Sequence, residues 1–210
     1  SADAAARMRR QFPGLRPAVR PWEDDAAIPV PPVPPVAAAG RLRRVVIPGG
    51  IGIEKGYEVL LACARDAAAR ALPLSFVVVG HTIDDDRLID TGSAFVTGEY
   101  DEAEAEALVR AQRADLAFLP ALWPETWSYT LSLAWRAGLP AAVFDLGAPA
   151  ERVRATGRGW VLPLGLPIKS INNALLSADN NAPLSVPSLA ERDRVSHHRV
   201  SGPPLRALPA

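Results

Sequence analysis

Apolar and polar positions alternate regularly only in the middle of the chain. An apolar run at residues 45–47 leads into a glycine-rich turn and then into residues 56–71, where Tyr57, Leu60, Leu61 and Ala64 recur on one face at helical spacing. The unit then repeats. Residues 75–79 and 94–97 predict strands, the second followed by a helix over 102–112, and residues 116–119 predict a strand before a helix over 127–137. A strand at 141–144, a short helix at 149–155 and a last strand at 160–162 complete the series. These strands are short, rich in β-branched residues and almost continuously apolar, as parallel strands are when helices cover both faces of the sheet. The pattern predicts an α/β fold: a Rossmann-like, doubly wound parallel sheet in three layers.

The ends read differently. Of 21 prolines, eight lie within residues 1–40 and five follow residue 180, so regular structure concentrates between them. Ser1 can cap a short helix through Arg10, which Phe12-Pro13-Gly14 ends, and residues 16–22 can run extended. Residues 28–36 contain five prolines and predict a polyproline-like connector. Residues 168–177 can form one more helix, and a loosely ordered tail is expected after it. The reading divides the chain into an arm that ends a preceding domain and continues as a proline-rich linker (1–40), a Rossmann-like domain (41–165), and a short helix with its tail (166–210).

Composition narrows the possible partners. A formal net charge of zero with 49% hydrophobic residues fits a globular protein and gives no reason to expect nucleic acid. The longest apolar runs fall far short of the roughly 20 residues that span a bilayer, and residues 1–20 are too rich in arginine for a secretory signal. Stable membrane insertion is not expected, and a cytoplasmic location is. The single cysteine, Cys63, sits on a predicted helix and reads as core packing. His197 and His198 lack carboxylate or cysteine neighbours at ligand spacing, so no metal site is expected. His81 follows a strand and reads as a turn residue.

Ligands of open α/β sheets gather beyond the carboxyl ends of the strands. Three such places carry chemistry. The run PGGIGIEKG at 48–56 lets backbone approach a ligand closely through Gly49, Gly50 and Gly52, and Lys55 adds a cation at a helix start, comfortable only if an anion is shared there. A glycine-rich turn with a solvated lysine is the equally weighted alternative. The run PALWPETWSYT at 120–130 delivers Glu125 to a helix N-terminus, where it can favour the helix dipole or bind sugar hydroxyls while the amides of Ser128, Tyr129 and Thr130 receive a phosphate. Trp127, Leu131, Ala134 and Gly138 form an apolar stripe read as core. The run DLGAPAE at 145–151 offers Asp145 and Glu151, which read as helix caps.

Together these segments resemble the C-terminal domain of the retaining family 4, or group 1, glycosyltransferases. The resemblance spans about residues 43–164 through GGIGIEKGYEVLLACA, FVVVG, FVTGEY, LAFLPALWPETWSYTLSLAWRAGLP, VFDLGAPAERV and GRGWVLPL, in family order and spacing. It implies the nucleotide-binding half of a GT-B fold with irregular arms, residues 1–22 being the last helix and strand of the N-terminal domain. It also implies that Lys55 holds the donor diphosphate and that Glu125, the first glutamate of the family's E-x7-E motif, contacts the donor sugar. Two departures from the family stand out. Gly49 and Gly50 stand where many members have an arginine, and Leu133 stands where the second glutamate contacts the nucleotide ribose. A hydrogen bond to a charged group is worth about 1.5 to 3 kcal/mol, so the change at Leu133 implies donor binding weakened roughly 10- to 100-fold.

The resemblance therefore implies a module that binds a nucleotide-diphosphate sugar as substrate, without cofactor or metal, and passes the sugar to an acceptor hydroxyl. Lys55 and Glu125 are the expected catalytic pair. Gly49, Gly50, Gly52, Ser128, Tyr129, Thr130 and the Leu133 position complete the expected donor site. A GT-B enzyme needs an acceptor-binding domain as well, so little transferase activity is expected of these 210 residues alone. The alternative is a non-catalytic nucleotide-sugar-binding or interaction module with a degenerated donor site. A sugar-nucleotide epimerase of the same architecture would need more histidines and carboxylates in the cleft than His81 supplies.

Overall fold

The computed structural model describes residues 1–29 and 41–178. The proline-rich connector beyond Pro29 and the tail with His197 and His198 lie outside them. The described residues form α1 (Ala2–Gln11), β1 (Arg43–Pro48), α2 (Tyr57–Ala69), β2 (Leu74–Val79), α3 (Asp85–Ile89), β3 (Ala94–Val96), α4 (Ala105–Ala111), β4 (Leu116–Leu119), α5 (Tyr129–Arg136), β5 (Ala141–Phe144), α6 (Gly147–Thr156), β6 (Gly159–Leu162) and α7 (Ile168–Ser177).

The strands make one parallel sheet of six in the order β3-β2-β1-β4-β5-β6. Because β1 lies between β2 and β4, the chain winds outward in opposite directions from it, which opens a crevice between the carboxyl ends of β1 and β4. Successive strand residues sort to opposite faces as the two-residue period requires. Val45, Ile47, Phe76 and Phe118 pack beneath α2 and α7 with Leu60, Leu61, Ile171 and Leu175. Val46, Val77, Ala117 and Val143 pack beneath α4, α5 and α6 with Val109, Leu131, Trp135 and Val153. This is the expected three-layer, Rossmann-like doubly wound sheet. Each large side chain fully buried in either layer contributes about 1.5 to 3 kcal/mol, so the two layers are the main source of cohesion.

Several boundaries differ from the sequence reading. The segment 102–112 opens as a 3-10 turn, Glu102–Glu104, before α4. The short α3 lies outside the elements that the sequence predicts, since one and a half turns are too few for a helical period to show; Asp84 caps it by accepting from the Arg87 amide at 3.0 Å. The fifth helix begins at Tyr129 rather than at residue 127 because Ser128, its N-cap, has an extended backbone. Trp127 therefore stands outside the helix and leaves the apolar stripe.

The N-terminal arm lies against this sheet domain. Ser1 caps α1 as expected, its hydroxyl accepting from the Ala4 amide at 3.1 Å. The helix packs against α6, where Glu151 accepts from the amides of Ala2 at 2.8 Å and of Asp3. Residues 16–22 join no sheet, contrary to the expected strand; Pro17 and Pro21 remove two of the backbone donors a ladder would use. At the opposite end, Asn172 of α7 is buried and donates to the Cys63 carbonyl and to Asp66 Oδ2, both at 2.9 Å, which ties α7 to α2.

Candidate functional site

The crevice at the β1/β4 switch point is a cavity of about 220 Å³. The end of β1 with Gly49, Gly50 and Ile51 forms one wall, and the end of β4 with Pro120 and Ala121 forms the other; Lys55, Glu125, Thr130 and Pro149 complete it. Two close backbone approaches hold these walls together. Gly56 caps α2 in the left-handed region, φ 87°, and a Cβ there would lie 2.0 Å from the Pro120 carbonyl oxygen. Next to it, the Leu122 amide donates to the Glu54 carbonyl at 2.8 Å. On the far side, a Cβ on Gly147 would come within 2.8 Å of Glu125 backbone, and the Ala148 amide donates to the Glu125 carbonyl at 2.9 Å.

This scaffold brings Lys55 and Glu125, 70 residues apart, into direct contact: the lysine ammonium donates to Glu125 Oε1. The carboxylate is buried, with 10% of its side chain exposed, while the lysine is 45% exposed. The anion that makes a cation tolerable at the start of α2 is therefore supplied by the protein itself. The amides of Gly56 and Tyr57 donate to the carbonyls of Ile53 and Gly52, at 2.9 and 3.1 Å, and so do not form the anion nest expected at the start of α2. The start of α5 is more open. Ser128 makes no side-chain cap bond to it, and its hydroxyl lies instead 3.2 Å from that of Thr130.

The other expected site residues fall in different places. Gly49, at φ 105°, is pressed against the Thr130 methyl, 3.1 Å from where its own Cβ would be. Gly52 does not line the cavity; its carbonyl accepts from Tyr57. Ser128 is buried beside the cavity rather than in its lining, and the Tyr129 ring is exposed, edge-on to Trp22 at 6.0 Å. Leu133 is partly buried against the apolar layer under α4–α6 and lines no part of the cavity. Neither acidic residue of segment 145–151 caps α6: Asp145 pairs with Arg154 at 2.8 and 2.6 Å, and Glu151 caps α1.

A second cavity, of about 360 Å³, adjoins the first through shared Gly49 and Gly50 and is lined by Gly80, His81, Glu99, Tyr100 and Glu102. His81 Nδ1 lies 3.9 Å from Glu99 Oε1. Burial raises the Tyr100 phenol above its ordinary range, and nearby Glu102 adds to the rise, so the hydroxyl stays protonated. Glu99, Tyr100 and Glu102 follow β3, so the strand-end rule that marks the other loops marks them equally, although the sequence alone assigns them no role. Among the described residues, no group of three or more His, Cys, Asp or Glu is arranged to hold a metal ion, and no helix is long and apolar enough to cross a membrane.

Comparison with solved structures places the fold. The Anabaena protein HepE, solved in complex with UDP-glucose, superposes with a TM-score of 0.51 at 15% identity over 66% of this chain. TarM gives 0.53 at 13% identity over 73%, and the GtfA/B complex gives 0.51 at 21% identity over 72%. The match extends over only 39% of HepE, 30% of TarM and 31% of the GtfA/B chain. At such identities the likeness concerns the fold, a Rossmann-like sheet. No protein-family model matches the sequence, and no curated protein matches it.

Proposed function

We propose that this chain is the sugar-nucleotide-binding half of a GT-B glycosyltransferase, of the retaining type that its motifs resemble. The observation that carries the reading is the cavity between β1 and β4, where the Lys55 ammonium, the Glu125 carboxylate and the start of α5 meet. A cation and uncapped helix amides suit a diphosphate, and a buried carboxylate at the same wall suits the hydroxyls of the attached sugar. HepE, of like fold, is solved with UDP-glucose and also with UDP. When the bond from the sugar to the diphosphate breaks, charge grows on the leaving phosphate, and Lys55 with the α5 amides is arranged to stabilise it without a metal. Transfer to an acceptor hydroxyl calls for a second domain facing the crevice, so the 210 residues alone are expected to bind donor and turn over little of it.

Leu133 favours a second reading. It sits in the apolar layer where the resembled motif has a glutamate, as it would in a binding or interaction module that has lost catalysis. Titration calorimetry with UDP and GDP tests for the donor site. Heat with at least one of them, abolished by Lys55→Ala, is the expected result. Absence of heat with both overturns the donor-site reading and favours the interaction module.

A further inference from the structure

The cavity accounts for Lys55, Glu125 and Thr130, but the most heavily engaged buried ion in the described structure lies just behind it. Arg152 of α6 has 6% of its side chain exposed and lines no part of the donor cavity. Its Nη1 donates to the Ser128 carbonyl at 2.7 Å and its Nη2 to Ser132 Oγ at 2.7 Å. Its Nε lies 3.0 and 3.1 Å from the two oxygens of Asp25, and Glu23 Oε1 is 3.6 Å away. The guanidinium plane also covers the Trp127 ring at 3.8 Å. Burying such a cation is costly unless every donor and the charge itself are answered, and here they are answered from two separate parts of the chain.

The position of Arg152 on α6 gives the network its meaning. Ala148, one turn earlier on the same helix, donates to the Glu125 carbonyl, while Arg152 grips Ser128 and Ser132. Ala148 acts through its main-chain amide in the first turn of α6 and Arg152 through its side chain, so a single rigid element holds both ends of the 125–128 segment. That segment carries the sugar-facing carboxylate at one end and the cap of α5 at the other. Asp25 and Glu23, from the N-terminal arm, neutralise the arginine that does the holding. The Ser128 carbonyl accepts from Arg152 as well as from the Ser132 amide at 3.4 Å, so the first turn of α5 is aimed by the arginine.

We infer that Arg152 is a positioning residue for the diphosphate, aiming the N-terminal turn of α5 from behind, and that Asp25 of the arm makes donor affinity depend on residues far from the cavity. The inference rests on the donor-site reading above. A network of this kind modulates binding at a site it does not touch by roughly 2- to 30-fold.

The test uses the full chain, calorimetry with UDP, inorganic pyrophosphate and uridine, and thermal melting. In Arg152→Ala and in the milder Asp25→Asn and Ser132→Ala, affinity for UDP and for pyrophosphate is expected to fall together, about 5- to 30-fold, well below the melting temperature, while uridine binding holds. Arg152→Lys, which keeps the charge and a donor for the Ser128 carbonyl, is expected to recover part of the loss. Lowered melting temperatures with unchanged pyrophosphate affinity, or equal losses for pyrophosphate and uridine, would show a purely structural role and overturn the inference. If Arg152→Ala does not fold, the two milder variants decide. Failure of the unmodified chain to bind UDP, GDP or pyrophosphate refutes the donor site itself and takes the inference with it.

Discussion

Gly56 offers the sharpest test of how the crevice is built. A Cβ added there would meet the Pro120 carbonyl oxygen at 2.0 Å, its carbon at 2.7 Å and the Pro120 Cβ at 2.9 Å, all on a strand end that cannot swing aside like a flexible side chain. Ordinary contact needs more than 3 Å, so Gly56→Ala forces the two loops apart by about 1 Å or more, and the Leu122 to Glu54 hydrogen bond and the Lys55–Glu125 pair span that gap. The left-handed backbone costs a non-glycine residue about 1 to 2 kcal/mol, the hydrogen bond about 1, and overpacking about 1 to 3. Gly98 supplies the control, because it has the same φ of 87° with nothing within 4 Å of its added Cβ, so Gly98→Ala bears the backbone cost alone. Gly56→Ala is therefore expected to lose about 2 to 4 kcal/mol more than Gly98→Ala, a further drop of at least about 4 °C in melting temperature for a chain of this size. Urea and thermal denaturation of both variants measure the difference. Equal destabilisation of the two would refute the argument that close backbone approach holds the walls together.

Three further outcomes follow from the same geometry. Burial, with Asp66 nearby, pushes the Cys63 thiol up to about 12, so iodoacetamide at pH 8 should leave it unmodified in the folded chain and label it in urea; rapid labelling without denaturant would contradict its place under α2. For Asp66, burial pushes the carboxyl up but hydrogen bonds from Asn172 and Arg70 outweigh it, so its folded pKa is below the usual value. Its stabilisation is then present above the unfolded pKa of about 3.9 and is lost as pH falls through the lower folded value, and Asp66→Asn should flatten that acid limb of the stability profile in urea titrations. Glu125→Gln removes a negative charge from the diphosphate site; at about 4 Å that repulsion is worth about 1 kcal/mol even in water, so UDP should bind roughly fivefold tighter, and weaker binding would argue against an anion at that wall.

The strands and most of the helices were legible in the sequence because their causes are local. Parallel strands covered on both faces must be apolar at every position, and helices over them must be apolar every third or fourth residue, so 45–47, 75–79, 116–119 and 141–144 could be seen as strands without coordinates. The glycine runs marked the strand ends, and Lys55, Glu125 and Thr130 could be picked out as neighbours of those ends. Where local signals were short or shared they misled. Residues 16–22 join no sheet, with Pro17 and Pro21 removing two of their backbone donors, α3 is too short to show a period, and Trp127 fitted a helical stripe that the extended Ser128 excludes it from.

Only the tertiary structure decided which strand ends meet. Placing β4 beside β1 depends on crossover handedness and on how two apolar layers fill, and no window of residues encodes it. That adjacency turns two separate loops into one wall pair with Lys55 on Glu125, and sends Leu133 into the apolar layer instead of the cavity. Arg152 is the clearest case. In the sequence it is one of 23 basic residues, a residue type that is mostly exposed. It becomes a buried clamp because the arm brings Asp25 back across α6, and burial of a charge is decided by partners that arrive from a distance.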